Sequence, residues 1–180
     1  MLTFRRWIAL PLVASLAVAA CTNPDRPSVQ PDDIELPTPM RTIDASVERT
    51  VTAVESALTG VGERLVLPTG AYRPSEPASL VQLPRTVRRV DLADPDDGFV
   101  VIYEAPSSGA ALELADDLAD YVESGFGQTN FTADTQFAVS TLEDTIVFTT
   151  WSKRRSDDPE RAEAAFEALA TVGTPIEVSK

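Results

Sequence analysis

Gln136-Phe137-Ala138-Val139-Ser140-Thr141-Leu142-Glu143-Asp144-Thr145-Ile146-Val147-Phe148-Thr149-Thr150-Trp151 is the stretch whose reading decides the fold class. β-Branched and aromatic residues fill the second arm and take three of the seven places in the first, Phe137, Val139 and Thr141, and the short polar pair Glu143-Asp144 separates the arms. That composition predicts a β-hairpin, Gln136 to Leu142 against Thr145 to Trp151. With a side-chain period of two, Ile146, Phe148 and Thr150 face one way, and Val147, Thr149 and Trp151 the other.

Working outward, the pattern alternates between hairpins and helices. Upstream, Ser107 or Ser108 caps a helix running to about residue 124, with Ala111, Leu114, Ala115, Leu118, Tyr121 and Val122 as its buried stripe and Gly125 and Gly127 closing it. Before it, Val87 to Leu92 and Phe99 to Glu104 flank Asp94-Pro95-Asp96-Asp97-Gly98, a turn by composition. Phe99-Val100-Val101-Ile102-Tyr103 is the most strand-like run and is expected at the centre of the sheet. Val47, Val51, Val54, Leu58 and Val61 recur at steps of four and three, which predicts a helix over 43–59, capped by Thr42 or Asp44 and stopped by Gly60 and Gly62. Between them, 63–84 reads as a short strand at 63–67 followed by a proline-broken loop. Downstream, Asp158 caps a helix that has Pro159 at its first position. Ala162, Ala165, Phe166, Leu169 and Val172 face inward, Gly173 ends it, and Pro175 to Val178 offers a last edge strand. The expected class is α+β: a single antiparallel sheet of four to six strands packed against about three helices, in the order α-ββ-α-ββ-α. Helices confined to one face would leave the other open to solvent or a partner.

Composition excludes several chemistries. The 180 residues carry a formal charge of −13 and contain no histidine, so no imidazole base or His-ligated metal site is available. One cysteine permits neither an intrachain disulfide nor a Cys₄ site. Residues 1–20 hold Arg5 and Arg6 and no acid; without them 13 basic and 28 acidic side chains remain, a charge of −15. Such a chain repels polyphosphate, so nucleic acid is not an expected partner. No cofactor and no metal are expected.

Residues 1–20 read as an export signal: Arg5-Arg6, then the uncharged run Trp7 to Ala20. Those 14 residues are short for a hydrocarbon core of ~30 Å but suit a signal h-region. The run ends Val18-Ala19-Ala20-Cys21, which resembles the lipobox of bacterial lipoproteins. The resemblance covers residues 1–21 only, and it is specific because the sole cysteine sits where the motif requires it. It implies cleavage before Cys21 and lipidation of the Cys21 thiol, with the membrane as partner through two or three acyl chains. Phe4 rather than Ser or Thr precedes the arginine pair, which favours the general secretory route over twin-arginine export. Thr22, not aspartate, follows Cys21, which fits an outer-membrane destination if the cell has two membranes. No family resemblance is evident for residues 22–180.

Residues 21–41 form the expected tether. Five prolines and four acids among the 19 residues of 22–40 favour an extended chain reaching ~60 Å. The folded domain is expected over 42–180.

Candidate sites are few. Two basic clusters, Arg85, Arg88 and Arg89, and Lys153, Arg154 and Arg155, lie at strand ends of an acidic chain. If the hairpins are neighbours, the clusters could converge on one rim as an anion or partner contact; pairing with the protein's own acids is the competing reading. Asp94 to Gly98 fails the EF-hand spacing, since Ala93 and Pro95 would occupy ligand positions. The helix face carrying Glu113, Asp116, Asp117, Asp120 and Glu123 reads as solvated. Glu104, Asp134, Glu143 and Asp144 are carboxylates near strand ends, but no spacing pairs them for acid–base work, and no catalytic residue is expected. The expected role is therefore a small membrane-anchored, extracytoplasmic binding or accessory module in the cell envelope, with an envelope protein as a candidate partner. A small envelope hydrolase using carboxylates and a structural or stress-related envelope protein are the alternatives.

Overall fold

The protein is described by a computed structural model covering residues 44–70, 72, 76–92 and 98–178. The expected signal segment, Cys21, the expected tether and most of the Asp94–Gly98 turn lie outside these residues.

The strands are β1 (Leu65–Val66), β2 (Arg85–Val90), β3 (Phe99–Glu104), β4 (Thr135–Leu142), β5 (Thr145–Ser152) and β6 (Thr174–Ile176). The helices are α1 (Ala45–Gly60), α2 (Ala78–Val81), α3 (Ser108–Glu123), α4 (Gly125–Gln128) and α5 (Pro159–Leu169). The strands make one sheet in the order β1-β2-β3-β5-β4-β6, with every neighbouring pair antiparallel. The α+β class expected from the sequence is the class observed.

The β4–β5 hairpin pairs in the expected register, Leu142 with Thr145 and Gln136 with Trp151. β3 and β5 are neighbours at the centre, and all eight residues of β5 are buried. Each sheet face has its own core. On one, Val100, Ile102, Val147 and Trp151 meet Val47, Val54 and Leu58 of α1 and Ala162, Ala165 and Leu169 of α5. On the other, Val101, Tyr103, Ile146 and Phe148 meet Ala111, Ala115, Leu118 and Val122 of α3. The layering is helix, sheet, helix, so neither face of the central strands is open. Strand polarity explains it. The β3-α3-β4 and β5-α5-β6 units each join parallel strands across one intervening strand, moving in the same direction along the sheet. β3 and β5 run oppositely, so two crossovers of the same hand must lie on opposite faces.

The helix boundaries follow their caps. The Asp44 carboxylate accepts from the Ser46 amide, the Ser107 hydroxyl from Ala110, and the Asp158 carboxylate from Arg161. Three expectations need correction. Val61 continues the apolar spacing of α1 but lies past its last turn and is 41% exposed. The 63–84 stretch carries the helical turn α2 as well as β1, and Leu80 of α2 is fully buried against the α3 layer. Gly125 and Gly127 do not simply close α3: Ser124 turns extended, and a new helical turn, α4, begins at Gly125.

Candidate binding groove

The corner between α3 and β4 builds a concave surface. The Ser124 hydroxyl donates to the Tyr121 carbonyl at 2.6 Å and accepts from the Gly127 amide at 3.0 Å, which folds α4 back along the end of α3. The approach is close: a Cβ on Gly127 would stand 2.0 Å from the Tyr121 carbonyl oxygen, so only glycine fits. The chain then runs through Phe131 and Thr132 into β4. Between α4 and β4 lies a half-open groove of about 470 Å³, walled by Phe131 and Phe137 and rimmed by Gln128, Thr129, Thr132 and Thr135. Phe131 meets Phe137 edge to face, with ring centroids 4.8 Å apart, and Phe137 stacks on buried Phe148 at 6.3 Å. The apolar wall is thus continuous with the core and held rigid by it. Phe126 of α4, 72% exposed, stands in edge contact with Tyr121.

The polar groups of the rim are largely occupied within the fold. The Thr129 hydroxyl donates to the Phe126 carbonyl at 2.7 Å, and the Gln128 amide donates to the Glu123 carbonyl at 3.2 Å. At the base of the rim, Asp134 accepts from the Ser152 hydroxyl and from the Arg154 amide, each at 2.9 Å. The Thr132 hydroxyl shares contacts with Ser152 and Thr135. These hydrogen bonds, the Arg154 amide first, hold the Asp134 carboxyl down at about 2. A carboxyl so fully ionised at neutral pH is a poor proton donor. What the groove offers is apolar surface of the volume that small-molecule sites use.

The six basic residues named from the sequence do not converge. Arg85 lies level with Tyr103, at the opposite end of the strands from Arg89, which lies level with Phe99. Arg88 and Arg89 are adjacent in a strand and so project to opposite faces, Arg88 beside α1. Lys153, Arg154 and Arg155 share the β2 exit end but sit on an exposed turn beyond β5, with β3 intervening. Strand length separates Arg85 from the rest and the period of two turns Arg88 away from Arg89, while Arg89 shares its end of the sheet with Lys153, Arg154 and Arg155. For Arg85 the competing reading holds, because its guanidinium pairs with Glu76.

That pair belongs to a cluster the sequence reading missed. Glu76, only 6% exposed, also accepts from the Tyr103 hydroxyl at 2.7 Å, and Tyr103 in turn hydrogen-bonds Tyr72. Burial pushes both phenols well above their usual range, so they stay neutral donors and pin the loop before α2 to the sheet. Glu76 sits in a proline-broken loop with no periodicity to place it, so nothing in the sequence marks it as buried. Of the remaining acids, Glu143 pairs with Arg49 of α1, and Glu113, Asp116, Asp117 and Asp120 lie on the solvated face of α3. Among the described residues no three His, Cys, Asp or Glu side chains are placed to hold a metal ion, and no helix is long and apolar enough to cross a membrane. No protein family matches the chain, and no curated protein or solved structure shows significant similarity to it.

Proposed function

We propose that the protein is a lipid-anchored, extracytoplasmic binding module of the cell envelope, and that its domain holds a small apolar ligand between α4 and β4. The anchor rests on Val18-Ala19-Ala20-Cys21 and the proline-rich stretch after it. The binding role rests on one observation, the half-open groove of about 470 Å³ walled by Phe131 and Phe137. Its walls are rigid and apolar, and its hydroxyls are mostly committed internally. It therefore selects by shape and apolar contact rather than by charge.

Two experiments test the two halves. Mass spectrometry of the mature N-terminus should find diacylglyceryl on Cys21, and Cys21→Ser should move the protein out of the membrane fraction. An unmodified N-terminal cysteine, or a membrane-bound serine variant, would contradict the anchor. For the groove, the mature chain is titrated with an environment-sensitive naphthalene dye. Ala133 lies exposed at the groove wall, so Ala133→Trp fills the space without removing core contacts. The wild type should bind the dye saturably and Ala133→Trp should not; equal binding by both would contradict the reading.

A further inference from the structure

A second surface stands on different residues. β1 pairs with β2 only through Leu65 with Val90 and Val66 with Arg89. Pro68 follows two residues later and cannot donate to a ladder, so pairing stops there and Leu67 is left 71% exposed. The outer side of Arg85 to Arg88 therefore has no strand neighbour among the described residues. The backbone direction is fixed by two bonds. The Val90 amide donates inward to the Gly98 carbonyl, and the Asp91 amide donates outward to the Arg64 carbonyl. Alternation then aims the amide and carbonyl groups of Arg85 and Val87 outward. The Val87 carbonyl accepts from the guanidinium of Arg88 at 3.1 Å, so a cation covers this edge. Beside it, on the α1 face, a groove of about 330 Å³ is lined by Val47, Val51, Thr52 and Thr86, with Arg88 on the strand side and Glu48 on the helix side.

We propose that this edge takes an extended peptide segment of a partner protein as an added strand, with one carboxylate of the segment on Arg88 and a small apolar side chain against Val47 and Val51. Backbone pairing supplies the affinity, and the groove reads alternate side chains. Arg88 couples the two. When its guanidinium turns to the incoming carboxylate, the Val87 carbonyl is released to accept a peptide amide. Glu48 disfavours a second carboxylate on the helix side. A second copy of this chain fits less well, because pairing β2 with β2 sets arginines against arginines across the new ladder.

The test uses the mature Cys21→Ser chain and two fluorescein-labelled probes, Thr-Val-Glu-Val-Thr and its Thr-Val-Lys-Val-Thr counterpart, read by anisotropy. The wild type should prefer the glutamate peptide by about tenfold, and Arg88→Glu should reverse the preference. Val87→Pro removes an outward amide and leaves the β2–β3 bonds intact, so it should weaken both peptides. If that variant fails to fold, the charge exchange still decides. Equal affinity for both peptides, no binding of either, or an Arg88→Glu variant that keeps the wild-type preference would overturn the proposal. So would concentration-dependent dimerisation of the wild type that Val87→Pro abolishes, which would assign the edge to a second copy.

Discussion

Glu63 and Arg161 show how one buried charge governs the sensitivity of a site. Glu63 closes the turn after α1 with its side chain only 4% exposed, and both its oxygens face the guanidinium of Arg161 on α5, which also donates to the Asp91 carbonyl. Arg161 keeps much of its hydration, because it is 45% exposed. Removing it strands the acid, so Arg161→Ala should cost about 2 kcal/mol, whereas Glu63→Gln keeps a hydrogen-bonding partner and should cost under about 1 kcal/mol. Denaturant midpoints of the two variants check the order. Asp134 gives a pH signature. Its folded value of about 2 lies below the unfolded carboxyl at about 3.9. A depressed carboxyl contributes stability that is present above the unfolded value and lost as the pH falls through the folded one. The wild type should therefore lose stability between about pH 4 and 2 more steeply than Asp134→Asn, read from thermal melts across that range. None of these pairings was legible in the sequence. Glu63 and Arg161 are 98 residues apart, and charge alone does not say which acid is buried.

The elements were far more legible, because their signals are local. The β4–β5 hairpin declared its turn at Glu143-Asp144, where Glu143 takes a positive φ of 56° and pairs with Arg49. α3 and α5 declared their caps through Ser107, Asp158 and Pro159. The reading failed where two elements had to be placed together. Arg88 and Arg89 look like a cluster in the chain, yet a strand throws them to opposite faces. The α3–α4 corner looks like a helix stop, because two glycines usually mean one. Here Gly127 serves close packing instead. Gly127→Ala should force α4 away from the Tyr121 carbonyl, costing more than about 2 kcal/mol and loosening the groove. Gly60→Ala, at the end of α1, outside the groove lining and with its Cβ in open space, is the control. Melting temperature and dye binding should fall together in the first and hold in the second.

At the scale of the molecule, the sheet separates two cores. Both faces of the central strands are covered, and among the described residues concave surface remains at the α4–β4 corner and beside the outer edge of β2. The fold class could be read from the chain, but this arrangement could not. Which face a helix covers depends on strand order, and strand order is a long-range property that hairpin and helix signals do not carry. The groove was equally hidden, since Phe131 and Phe137 look like ordinary core residues until α4 turns back beside them.

The central claim is that the α4–β4 groove binds an apolar molecule, and native mass spectrometry tests it most directly. The mature chain and its Ala133→Trp variant are purified side by side from the same envelope in mild detergent. The wild type should carry a non-covalent, apolar adduct small enough for a groove of about 470 Å³, released by organic solvent and missing from Ala133→Trp. A wild type that is always empty, or an adduct carried equally by both, would contradict the account.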